Sequence, residues 1–165
     1  MGDALALWQS DGMAPGLQHT PLHHRLIESL YREAMMLADA ARSYFDDAER
    51  SDRDILDPLA RVGLSCESLK VTTRLMHVIA WLLTARAVQA GEIDDSEPRH
   101  PARRLGDAPM TDVAMLAMFP ASARRLIEAS VDLHRRVALL DAALDFSAPA
   151  VSPAVSMQIR LSRAL

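Results

Sequence analysis

Few residues of this 165-residue chain have the types and spacing that chemistry requires. A helical bundle holds a pair of metal ions with Glu-x-x-His on inward helix faces, and needs two copies plus two further carboxylates. Glu97-Pro98-Arg99-His100 has the spacing once, in a proline-rich stretch, so no metal site is expected of it. His-Glu-x-x-His, a phosphate loop and Gly-x-Ser-x-Gly are absent from the sequence. His19, His23 and His24 cluster near one predicted helix start, but a closed metal site wants a fourth ligand in fixed geometry. Cys66 is the single cysteine, placed in or beside an apolar arc, where a lone thiol behaves as a small hydrophobe. No catalytic residue, cofactor or metal is expected, and the chain reads as non-enzymatic.

His77 is the histidine whose setting invites a mechanism. It falls on a narrow polar stripe with Lys70, Arg74 and Trp81, at helical steps of three and four. A solvent-facing imidazole on a bundle suits histidine phosphotransfer, yet residues 78–82 read Val-Ile-Ala-Trp-Leu and lack the nearby Lys and Gly of such a motif. Trp81 among cationic side chains suits partner binding instead, because a flat apolar ring and guanidinium groups desolvate well together. The alternative is that the same chain covers the ring, through its N-terminal arm or the turn around Met115 and Met118.

The elements that must position these residues are helices. Ala, Leu and Met far outnumber Val, Ile and Thr, and aromatic residues are few. Thr20-Pro21 is a cap followed by a proline suited to a first helical turn. From there Leu22, Leu26, Leu30, Ala34, Leu37, Ala41, Tyr44 and Ala48 recur at steps of three and four. Asp57-Pro58 repeats the start signal and Gly91 supplies a stop, predicting a long central helix over 58–90. Leu69, Val71, Leu75, Met76, Val78, Ile79, Leu82 and Leu83 spread over an arc of that helix wide enough to touch more than one neighbour. Residues 92–109 read as a linker, and Thr111-Asp112 as the cap of a short Met-rich turn. Pro120 opens a third long helix, whose seam is Ile127, Ser130, Leu133, Val137, Leu140 and Leu144.

The predicted fold is therefore all-α: a three-helix bundle over 20–145, with a flexible arm at 1–19 and a disordered tail at 146–165. Met157, Ile159, Arg160, Leu161 and Leu165 give the tail the look of a short linear binding peptide. Charge is unevenly placed. The formal −4 of the chain equals the balance of residues 46–57 alone, either a solvated connection or a docking patch for a basic partner. A mildly acidic domain argues against nucleic acid as a partner. The N-terminus lacks the basic start and long apolar run of a secretory signal, and one cysteine cannot close an intrachain disulfide. A cytoplasmic protein that engages no membrane is expected.

The stretch from Cys66 to Leu83, with Thr72-Thr73-Arg74-Leu75-Met76 and Trp81-Leu82-Leu83 as its most specific pieces, resembles the RcdA family of alphaproteobacterial regulators of CtrA degradation. Arg125-Leu126-Ile127-Glu128 and Leu133-His134-Arg135-Arg136 support it. The resemblance covers about residues 20–145 and implies a three-helix bundle that dimerises and ends in a disordered tail. It implies an adaptor that delivers cargo to ClpXP primed by the response regulator CpdR, directly or through the adaptor PopA, leading to CtrA destruction. A phosphotransfer bundle using His77 and a purely structural dimerisation module are the alternatives. If the stripe Lys70, Arg74, His77 and Trp81 takes a partner, Trp81→Ala with Arg74→Ala should weaken partner capture and leave the melting temperature near wild type.

Overall fold

The computed structural model describes residues 20–146, so the readings made for the arm and for Met157, Ile159, Arg160, Leu161 and Leu165 lie outside the described residues. Within them the secondary structure is helical. Helix α1 spans Pro21–Ser43, passes through a π turn at Tyr44–Ala48 and continues as α2, Glu49–Asp54. Helix α3 spans Pro58–Gln89, α4 is the short Val113–Leu116, and α5 spans Ala121–Phe146.

Each boundary has a local cause. Thr20 Oγ1 accepts from the His23 amide at 3.2 Å, and Asp57 Oδ1 from the Ala60 amide at 2.9 Å, so both proline starts are capped by side-chain oxygen. Helix α3 ends where Gly91 takes φ 71°, which lets the Glu92 amide reach back to the Ala87 carbonyl and the Gly91 amide to that of Val88, both at 2.9 Å. A side chain at Gly91 would strain that left-handed closure.

The acidic stretch 46–57 is not an open connection. Most of it is helix, and the chain turns only at residues 55–57. The π turn accommodates the change: one extra residue shifts the helical phase, so adjacent Tyr44 and Phe45 both pack on the core, edge to face at 5.2 Å. Tyr44 donates to Asp52 at 2.8 Å, and Arg53 donates to Ser65 on α3, so two of these charged residues are tied into the fold.

Helix α3 is central and packs on both α1 and α5. Ile27, Leu30 and Ala34 of α1 meet Leu64, Val71, Val78 and Leu82 of α3 and Ile127, Leu133 and Val137 of α5 in one core. Ser130 is buried in the α5 seam as the spacing predicts, while Leu140 is partly buried. The wide arc of α3 divides: Val71, Leu75, Val78 and Leu82 are buried, whereas Leu69, Met76 and Leu83 face outward. Ion pairs lace the helix edges, with Arg86 2.6 Å from Glu28 and 4.4 Å from the centre of the Tyr31 ring, and Arg136 bound to Glu33. Replacing the Asp57 cap by Ala should lower stability by about 1 kcal/mol in urea denaturation; an unchanged midpoint would mean that the cap is not formed in solution.

Candidate functional site

The polar stripe of α3 lies under residues 97–112, which cross from the end of α3 towards α4 as a strap. Two short 3-10 turns, Glu97–Arg99 and Pro101–Arg103, shape its first half. Arg74 is 1% exposed, and its guanidinium donates to the Pro109 carbonyl and Thr111 Oγ1, each at 2.6 Å, and to Ser130 Oγ on α5 at 3.2 Å. The Thr111 hydroxyl in turn donates to Glu67 Oε2 at 2.9 Å, and the other carboxylate oxygen of Glu67 lies 2.7 Å from Lys70 Nζ. One cation therefore joins the central helix, the strap and the third helix. Burial pulls the Arg74 pKa below the usual guanidinium range, and the Glu67 carboxylate opposes that shift.

A second junction sits two turns further along. Trp81 is 5% exposed and donates through Nε1 to Asp141 Oδ1 at 2.7 Å. Arg104 of the strap reaches both Asp141 oxygens at 3.0 Å and Asp145 at 2.5 Å. Hydrogen bonds to Asp145, and then to Asp141, hold the Arg104 pKa above its usual range, and the same bonds hold Asp145 below the carboxylate range.

Between the junctions, His77 Nδ1 lies 3.1 Å from the Asp107 carbonyl and His134 Nε2 2.8 Å from that of Gly106, so both rings act as donors to strap backbone. A Cβ at Gly106 would come within 2.6 Å of the His77 ring, which is why the strap carries glycine there. The strap backbone thus occupies Nδ1 of His77, while the ring stays partly accessible.

The four stripe residues are thus brought together, but as the floor of the strap. Arg74 and Trp81 are buried with partners in their own chain; Lys70 and His77 stay partly accessible. The covering element is the 97–112 segment. Glu97 is bound to Arg103 at 2.8 Å, and His100 Nδ1 accepts from the Ala102 amide at 3.3 Å, so that spacing serves the strap's own turns. Cys66, expected in or beside the apolar arc, is exposed on α3. Among the described residues no group of three or more His, Cys, Asp or Glu could hold a metal ion, and no helix is long and apolar enough to cross a membrane.

What lies open is apolar. Leu59, Val62, Leu69, Met76 and Leu83 are all exposed, and with Cys66, Thr73 and Ala80 they follow a strict three/four alternation along α3. That spacing is the one by which two helices pack along a shared seam. It was present in the sequence but merged with the buried phase of the same helix.

Residues 19–165 match the family model described as "Protein of unknown function (DUF1465)". The fold is similar to the crystal structure of RcdA from Caulobacter crescentus CB15, with a TM-score of 0.59 and 30% identity, covering 72% of this chain and 90% of that one. No curated protein matches.

The buried junction reverses the expected effect of substitution in the stripe: both positions now carry stability. Arg74→Leu should cost about 3–5 kcal/mol in urea denaturation, because it takes the buried donor from Pro109, Thr111 and Ser130 and one of the two cations from Glu67, and Glu67→Leu in the same chain should recover part of the loss. Trp81→Phe, which removes one bond to a carboxylate, should cost about 1.5–3 kcal/mol. Wild-type midpoints for both single variants would show that the stripe is not covered in solution.

Proposed function

The chain belongs to the RcdA-like DUF1465 family, and on that premise we propose that it is a non-enzymatic adaptor in regulated proteolysis. In this reading it joins ClpXP that has been primed by a CpdR-type response regulator, in the cytoplasm, and delivers cargo directly or through a PopA-type adaptor. A CtrA-type cell-cycle regulator is the cargo that the family resemblance suggests. The observation that carries the reading is the 30% identity to RcdA over a shared helical fold. The physical task asks for no reacting group, since an adaptor works by raising the local concentration of substrate at the unfoldase. The strap holds His77 Nδ1 against the Asp107 carbonyl, and residues 78–82 lack the nearby Lys and Gly of a phosphotransfer motif, which favours a binding protein.

The outward seam of α3 supports a second element of the proposal, a homodimer. Leu69 and Met76 sit at its middle, one interface step apart and well exposed. A stripe of this length left in water is a liability that a second copy relieves.

Two experiments test the proposal. In a reconstituted system of ClpXP, a CpdR-type regulator and a CtrA-type substrate, the protein should accelerate substrate loss; no acceleration together with no capture of primed ClpX contradicts the adaptor reading. Light scattering at tens of micromolar should give twice the chain mass, and Leu69→Glu with Met76→Glu should give the single-chain mass at an unchanged melting temperature. A wild-type monomer contradicts the dimer.

A further inference from the structure

A groove of about 490 Å³ opens between α5 and the stretch that joins the strap to α4, and none of the α3 seam residues lines it. Met110 and Val113 form one wall, Ile127 and Val131 the other, with Glu128 on the rim. Met110 is 87% and Val113 78% exposed, so the apolar wall stands in water. We propose that this groove is the docking site of the chain's own C-terminal segment, residues 157–165, held in extended form.

Pattern, reach and charge each select that occupant. Met157, Ile159 and Leu161 alternate with Gln158, Arg160 and Ser162, so an extended segment presents one apolar edge with the polar side chains opposite. The described part of α5 ends at Phe146, about 22 Å along the helix from Val131 at 1.5 Å per residue. Residues 147–156 can span up to about 33 Å, enough for 157–161 to return to the groove. Phe146 and Val131 lie about 60° apart around the helix, and exposed Leu139 and Ala142 lie on the path between them. Asp132 in the lining is already held by Arg135 at 2.6 Å and Arg136 at 2.8 Å, whereas Glu128 has no ion pair among the described residues. Its carboxylate is the complement of Arg160 or Arg163. The segment thus occupies in cis an apolar groove that a partner peptide of the same pattern would enter only by displacing it.

The proposal is independent of the ClpXP reading, and its test involves no partner. The full chain, with Cys66→Ser and Ser162→Cys carrying a nitroxide label, is enriched in 15N and its amide signals are measured with the label oxidised and then reduced. Amides of residues 110–116 and 127–135 should lose more than half their intensity, and dilution with unlabelled chain should leave the loss unchanged. Leu161→Asp, outside the bundle core, and Val131→Glu, at an exposed position, should each restore the signals. No loss, a loss centred on the α3 seam, or one that dilution relieves, which would place the segment on a second copy, overturns the proposal. Persistence of the loss in both variants overturns it too.

Discussion

The buried guanidinium of Arg74 is the constraint on which the arrangement depends. It replaces water with two strap oxygens and one hydroxyl of α5 while remaining on the central helix. A charge taken this far from solvent needs hydrogen-bond acceptors and a nearby counter-ion; both terminal nitrogens of Arg74 are bonded, and Nε is buried with no partner among the described residues. Glu67 supplies that counter-ion at 3.9 Å and is itself held by Thr111 and Lys70. The strap must therefore follow the line that brings Pro109 and Thr111 over Arg74. Gly106 passes over His77 on that line, and Arg104 reaches Asp141 where Trp81 already donates. Packing of α3 against α5 is accordingly apolar below and polar above, with the strap as the upper layer.

This layering decides which surfaces are left for partners. The side of α3 that its residue types would open to water is closed by the strap, and part of the side that they would bury is open. The exposed phase of α3 and the groove beside α5 are both apolar, and they share no residue. A bridging protein, as proposed above, needs two such faces. The half-buried arginines Arg86, Arg104 and Arg136 are each paired within the chain.

Much of the fold was legible in the residues. Thr20-Pro21, Asp57-Pro58, Asp112 and Gly91 mark their helix ends by local chemistry that tertiary structure does not override, and the α5 seam follows from spacing alone. The site was less legible, because a helical wheel fixes the angle of a side chain on its own helix and says nothing of what crosses above it. Arg74 and Trp81 lie on the polar side of α3 as the wheel requires, yet a proline-rich segment remote in sequence buries them. A sign was available: Ser130 and Asp141 interrupt or flank an apolar seam, and polar groups there call for buried partners. The π turn at Tyr44–Ala48 was illegible for a different reason, since its extra residue depends on packing of Tyr44 and Phe45 that no local pattern encodes. Exposure of Leu69, Met76 and Leu83 was hidden by overlap of two apolar phases on one helix.

The central claim is that Arg74 is an internal tie between three elements, and side-chain NMR of arginine in the intact protein tests it most directly. With the 15N signals of the 17 arginines recorded near neutral pH, and the Arg74 set assigned by its loss in Arg74→Lys, the account predicts separate, slowly exchanging Nη resonances for Arg74. A single averaged, rapidly exchanging guanidinium signal, like that of an arginine in water, would contradict it.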